Sequence, residues 1–242
     1  MPDTGLGHKA CTRAAAGTAG PTMDGTAMGV RGWTRCRALL DAAAVLFVEK
    51  GYAATSLSDV LREAGGSRTT LYKHFGDKDG LFRAMMEEHC ARVLDGMASD
   101  AATDDAGGVA DEAVDPEERL IRIALHITAS LTEPQTTAIL RTLISEGSRV
   151  PDLVETFVRV GPERTRERMA GCFRDLAAAG HIRVADPEMA AQAFCGMVTG
   201  NLLMERLILP GRPVDAAAVE SYVRASVRLF LRGAAPPQAS RR

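Results

Sequence analysis

The sequence predicts an all-α protein, and three observations carry that expectation. Apolar residues recur at helical spacing in segment after segment beyond residue 33. No stretch alternates apolar and polar residues as a half-buried strand would. Gly, Pro, Ser and Asp punctuate the apolar stripes where helices start and stop. With 242 residues, 46% of them hydrophobic, the chain is long enough for one large core or two smaller ones.

Residues 1–32 are rich in Gly, Ala and Thr and almost free of large apolar side chains. Such a stretch cannot bury enough surface to offset chain entropy, so it is expected to be a disordered tail. Met23 and Met28 are alternative starts to Met1. A first helix follows from about Thr34, with Leu39, Ala43, Leu46 and Phe47 on one face and Gly51 as its stop. Ser56-Leu57-Ser58-Asp59 resembles a capping box and opens a second helix, roughly two turns long, which ends at Gly65-Gly66. Ser67 caps a third short helix through Phe75. Gly76 breaks it, and Asp77 caps a longer fourth helix through Leu81, Phe82, Met85, His89 and Val93.

From Gly96 to Glu118 there are eight acidic residues and no basic ones, which marks a mobile acidic linker at about 98–115. Beyond it every segment reads helical. Asp115-Pro116 is a cap with proline at the first position. Leu120, Ile123, Ala124, Ile127 and Leu131 follow on one face. Ile139, Leu140, Leu143 and Ile144 line the next helix, which ends at Gly147. Pro151 opens another, with Leu153, Val154, Phe157 and Val158, and Gly161-Pro162 must kink or break it. Met169, Cys172, Phe173 and Leu176 continue to Gly180. Asp186-Pro187 starts a helix running to Pro210. Asp215 starts the last, with Val219, Val223, Val227 and Phe230, ending at Gly233. The expected organisation is a helix-turn-helix unit at 33–80, a helical bundle at 81–233 and a disordered tail at 234–242.

Composition excludes several functions. The net charge is -2, so any nucleic-acid contact needs a local basic patch. The five cysteines lie far apart and form no C-x-x-C pair; they read as reduced thiols rather than a disulfide framework or a zinc site. Glu87-Glu88-His89 lacks the second histidine a helical metal pair needs. No nucleophile elbow, phosphate-binding loop or dinucleotide fingerprint is present, so the chain reads as no enzyme and implies no cofactor. No apolar run reaches the ~20 residues of a membrane span, and no secretory signal opens the chain; a cytoplasmic protein is expected.

The segment 67–75 carries the densest chemistry. Leu71 and Phe75 are one turn apart and form an inward face. Arg68, Thr69, Thr70, Tyr72 and Lys73 point elsewhere. Arginine can bond guanine edges with two hydrogen bonds, and threonine can bond a base edge or touch a thymine methyl. Tyr, Lys and His reach phosphates. Two short helices joined by a Gly-containing turn make a helix-turn-helix, whose second helix enters the major groove. From pattern alone, a solvated polar face on an ordinary small helix fits equally well.

Residues 34–82 resemble the DNA-binding domain of TetR-family transcriptional regulators. The resemblance rests on Leu39-Leu40-Asp41-Ala42-Ala43 with Phe47, on Gly51-Tyr52-Ala53-Ala54-Thr55-Ser56 and on Ala64-Gly65-Gly66-Ser67. It is strongest at Thr70-Leu71-Tyr72-Lys73-His74-Phe75 followed by Lys78-Asp79-Gly80-Leu81. It implies DNA contacts by Thr55, Ser56, Ser67, Arg68, Thr69, Thr70 and Lys73, with Tyr72, His74 and Lys78 on the phosphate backbone. Two positions depart from the family pattern: Gly66 stands where valine is typical, and Leu61 where alanine is typical. Residues 139–209 resemble the AefR-like C-terminal domain of the same family, through Ile144-Ser145-Glu146, Pro151-Asp152-Leu153, Gly161-Pro162-Glu163-Arg164 and Phe194-Cys195-Gly196-Met197.

The resemblance implies a homodimer that represses transcription from a palindromic operator and is released by a small-molecule effector. Independently, Ala193, Gly196 and Gly200 form a small-residue seam. With Leu203 and the Val219/Val223/Phe230 face it makes an expected dimer interface; packing within one subunit is the alternative. His126, Phe157, Phe173, Met197 and Asn201 either line an effector pocket or pack the core. The alternative to a regulator is a helical dimeric interaction module that has lost specific DNA binding.

Overall fold

The computed structural model describes residues 22–23, 26–27, 30–102, 115–209 and 211–234. The described residues form ten α-helices and one minimal antiparallel pair, β1 (Thr22–Met23) with β2 (Thr26–Ala27). That pair, and the start of α1 at Val30, lie within the stretch expected to be a disordered tail. Its remaining residues fall outside the described ones, as do 103–114 of the expected acidic linker and 235–242 of the C-terminal tail.

α1 (Val30–Lys50) is followed by α2 (Leu57–Ala64), α3 (Arg68–Phe75) and α4 (Lys78–Ala102). Then come α5 (Pro116–Thr132), α6 (Pro134–Glu146), α7 (Pro151–Val158), α8 (Arg164–Ala178), α9 (Pro187–Ile208) and α10 (Ala216–Ala234). The caps are those the sequence signals. Asp115 accepts from Glu117 N, Asp186 from Met189 N, and Asp215 from Ala217 N and Ala218 N. Each satisfies helix-start donors that have no intrahelical partner. Gly161-Pro162 lies in a five-residue π-helical turn, Arg159–Glu163, between α7 and α8. Proline gives no N–H to the preceding turn, and the wider turn absorbs the misfit.

The chain divides into two compact units. The first comprises Met1–Ala91 and Ala138–Val158; the second comprises Arg92–Thr137 and Arg159–Arg242. The expected split at residue 80 is thus displaced into α4, and most of α6 with all of α7 joins the first unit. Burial explains the displacement. Leu81, Phe82, Met85, Met86 and Cys90 are buried in the first unit's core with Leu39, Phe47, Val60, Leu71 and Phe75. The Phe82 ring meets Phe47 at 5.5 Å and Tyr52 at 5.1 Å, both edge-on. Arg37 of α1 pairs with Glu88 of α4, and Arg83 of α4 donates to Thr156 of α7 at 2.7 Å.

In the second unit α9 packs on α5, α8 and α10. Phe173, Phe194 and Phe230 meet with ring centroids 5.0–5.5 Å apart. Full burial of the Phe173 and Phe194 rings contributes about 1.5–3 kcal/mol each. The first residues of this unit, at the C-terminal end of α4, are held through their backbone. His126 Nε2 lies 3.0 Å from the Val93 carbonyl, and Arg168 donates to that of Leu94. Gly96 makes room for the imidazole: a Cβ there would sit 2.2 Å from His126 Cε1.

Candidate nucleic-acid interface

The interface candidate is built from α2, α3 and the first turn of α4. Ser56 caps α2 with a complete capping box: Asp59 N donates to Ser56 Oγ at 3.1 Å and Ser56 N to Asp59 Oδ2 at 3.1 Å. Hydrogen bonds from the Ser56 side chain and backbone hold the Asp59 carboxyl down at about 2. α2 stops at Gly65, whose φ of 64° is the left-handed conformation that glycine adopts without a Cβ clash. Ser67 then caps α3, accepting from Thr70 N at 3.2 Å and lying 3.0 Å from Thr70 Oγ1.

This geometry fixes which side of α3 faces out. Leu71 is 0% exposed and Phe75 5%, so both belong to the core. Arg68, Thr69, Tyr72 and Lys73 are exposed, Tyr72 at 54%. α3 carries two basic residues in its last turn, Lys73 and His74, and no acidic residue in its first. Arg68 also reaches back toward α2, 3.5 Å from Ser58 Oγ. Thr70 and His74 are half-buried. Burial, and then the neighbouring Lys73 charge, pull the His74 imidazole below its ordinary range, so it is neutral at pH 7.

The turn into α4 is equally constrained. Asp77 accepts from Gly80 N at 2.7 Å. A Cβ at Gly80 would lie 2.0 Å from the Phe75 carbonyl oxygen, so only glycine allows this close approach. Lys78, half-buried at the start of α4, donates to the Ala53 carbonyl at 3.3 Å. Burial pulls its ammonium below the ordinary lysine range, against the opposing charges of Asp79 and Glu146.

One expected DNA contact is corrected by the structure. Thr55 is 2% exposed, and its hydroxyl donates to the carbonyls of Leu46 at 3.2 Å and Gly51 at 2.8 Å. It closes the end of α1 and has no free face. Ser56 and Ser67 are exposed, but their hydroxyls are engaged as caps. The two departures from the family pattern prove to be neighbours. A Cβ at Gly66 would lie 3.2 Å from Leu39 Cδ2 and 3.7 Å from Leu61 Cδ2. The larger residue at 61 therefore occupies space beside the smaller residue at 66.

The residues expected to line a pocket fall in both units. Phe157 is half-buried in the first unit. The other four belong to the second. Phe173 is fully buried in the aromatic cluster, His126 is tied to Val93, and Met197 is half-buried while Asn201 is exposed. The expected dimer interface divides as well. Ala193, Gly196 and Gly200 are exposed, and a Cβ at either glycine would meet nothing within 4 Å. Leu203 is half-buried. Val223 is 0% exposed, and Val219 and Phe230 pack against the second unit's core. These three face inward. The large apolar residues of α10 that face out are Tyr222 and Leu229, and on α9 they are Met189, Met204 and Ile208. The strongest apolar stripe of α10 goes to the core, which leaves Tyr222 and Leu229 outside.

Burial holds the Cys90 thiol up at about 12 and that of Cys195 at about 11, so both stay protonated at neutral pH. Among the described residues no helix is long and apolar enough to cross a membrane.

Comparison with known proteins adds the family context. Residues 39–85 match the family described as bacterial regulatory proteins, tetR family, and residues 118–233 the AefR-like transcriptional repressor C-terminal domain. The uncharacterized HTH-type transcriptional regulator YvkB of Bacillus subtilis (strain 168) is 24% identical over 197 residues, covering 81% of this chain and 94% of that protein. A crystal structure described as a TetR-family transcriptional regulator from Mesorhizobium loti MAFF303099 is 28% identical, with a TM-score of 0.76. That match covers 86% of this chain and 100% of the other. The flavonoid-responsive regulator FrrA is 26% identical, with a TM-score of 0.65 over 85% of this chain and 98% of its own.

Proposed function

The chain belongs to the TetR family of bacterial transcriptional regulators, and from that membership we propose that it is a repressor of a palindromic operator, released by a small-molecule ligand. Its family and relatives are transcriptional regulators, not enzymes. TetR-family regulators bind DNA operators and form dimers. The observation that carries the reading is the outward face of α3, where Arg68, Thr69, Tyr72 and Lys73 stand over buried Leu71 and Phe75.

In this reading Arg68 and Thr69 meet base edges and Lys73 a base or nearby phosphate. Tyr72, His74 and Lys78 meet the backbone. Exposed Ser56 and Ser67 and half-buried Thr70 lie at the helix starts, where backbone N–H groups favour a phosphate. A dimer places two such helices about 34–36 Å apart, which calls for a two-fold operator. A ligand of the C-terminal domain releases DNA only if it binds the wrongly spaced dimer better than the DNA-competent one. FrrA is flavonoid-responsive, which makes flavonoids the first compounds to screen.

The test is fluorescence-anisotropy binding of the purified protein to DNA immediately upstream of its own gene, beside a scrambled duplex, at two salt concentrations. The expected result is tight binding to the native duplex that survives the higher salt, with Arg68→Ala relaxing base preference at a cost of about 1–3 kcal/mol. If a random-sequence selection also enriches nothing, the chain is an interaction module and the docking of α3 is wrong.

A further inference from the structure

The Lys78 ammonium is held before any DNA arrives. It lies 4.3 Å from the centroid of the Tyr52 ring and donates to the Ala53 carbonyl at 3.3 Å. The ring beneath it is itself fixed. Its hydroxyl donates to Asp79, the residue after Lys78, and its ring centroid lies 5.4 Å from that of Phe47 and 5.1 Å from that of Phe82. Phe47 and Phe82 are 2% and 0% exposed, so this platform is part of the first unit's core. Burial, and then the bond to Asp79, hold the phenol far above its ordinary range, so it stays a donor.

We propose that Tyr52 is a positioning residue for DNA binding: its ring aims the Lys78 ammonium at a backbone phosphate. The inference rests on the DNA-binding reading above. Lysine is a flexible point charge on a four-carbon stem. An aromatic face attracts the ammonium without using its N–H donors. One donor goes to Ala53, which leaves others for phosphate oxygens. Ordering the stem in the free protein removes part of the cost of ordering it on binding. Asp79 sets the platform from the Tyr52 side and adds a favourable charge beside Lys78.

The test is a double-mutant cycle on DNA affinity. The probes are a duplex selected by the wild-type protein from a random pool and a scrambled duplex. The proteins are wild type, Lys78→Ala, Tyr52→Leu, Tyr52→Phe and the Tyr52→Leu/Lys78→Ala double variant, each checked for helicity by circular dichroism. Lys78→Ala is expected to weaken binding to both duplexes and lower the salt slope by about 0.9 per protomer. Tyr52→Leu is expected to weaken both by a common factor of roughly two to ten, with no further loss in the Lys78→Ala background. Tyr52→Phe keeps the ring and should stay within about twofold of wild type, the residue of the lost Asp79 anchor. A structural role for Tyr52 would multiply the two losses, or shift preference between the duplexes, and either result overturns the proposal, as does unchanged affinity in Tyr52→Leu. Should Tyr52→Leu not fold, Tyr52→Met carries the same comparison. A wild-type protein that selects no sequence and is indifferent to Lys78→Ala sinks the DNA-binding reading itself, a result distinct from multiplied losses.

Discussion

Thr55 sits in a motif whose neighbours face DNA in the proposed complex, yet its hydroxyl is consumed inside the first unit. Thr55→Val keeps the volume and removes the one hydroxyl proton that the Leu46 and Gly51 carbonyls share. It is expected to cost about 1–2 kcal/mol, read as a lowered denaturation midpoint at unchanged slope. Its DNA base preference should match wild type, and altered preference would return Thr55 to the interface. His74 gives a pH prediction. Its folded-state pKa lies below the unfolded value, so the unfolded chain takes the proton first as pH falls. The stability it contributes is full above about pH 6.5 and declines as pH drops toward the folded-state value. Melting temperatures of wild type and His74→Asn, followed from pH 7.5 to 5, should diverge in that sense. Parallel curves would mean that His74 is not shielded.

At the scale of elements, helix placement depends on matched pairs of side chains. Leu61 on α2 and Gly66 in the turn to α3 share one space against Leu39. Gly66→Val alone should destabilise the helix-turn-helix by about 1–3 kcal/mol through overpacking. Adding Leu61→Ala should recover only part of that loss, since the tighter approach, 3.2 Å, is to Leu39 Cδ2 and Leu61 Cδ2 lies at 3.7 Å. Additive losses in the cycle would show that the two positions are independent. Gly96 and His126 form the corresponding pair between α4 and α5. Gly96→Ala would drive the imidazole off the Val93 carbonyl, at a similar cost of about 1–3 kcal/mol. In a His126→Ala background the same substitution should be neutral or stabilising, because alanine is the better helix former. Thermal unfolding of the four proteins decides it.

At the scale of the whole molecule, the expected interface residues that stay exposed, Ala193, Gly196 and Gly200, form with Met189, Met204 and Ile208 on α9 and Tyr222 and Leu229 on α10 a stripe that we propose as the dimer face in place of Val219, Val223 and Phe230. Small side chains at its centre let two backbones approach. Gly196→Arg is a clean test. A Cβ there meets nothing within 4 Å, and arginine favours a helix interior over glycine. Helicity should be retained while sedimentation shifts from dimer to monomer, and affinity for a two-fold DNA site should fall with it. A dimer that survives places the interface elsewhere.

The all-α class, the helix starts at Ser56, Ser67, Asp77, Asp115, Asp186 and Asp215, and the inward pair Leu71 and Phe75 were legible in the amino-acid sequence. Those features rest on contacts within a few residues, where periodicity and capping chemistry act. The rest came from long-range packing. It turned Thr55 inward, drew the start of α4 and the segment 138–158 into the first unit, and sent Val223 and Phe230 to the core while leaving Tyr222 and Leu229 outside. It also set Lys78 on Tyr52. Each of these depends on partners distant in sequence. An apolar stripe says that a face will be covered, and only the folded chain says which surface covers it.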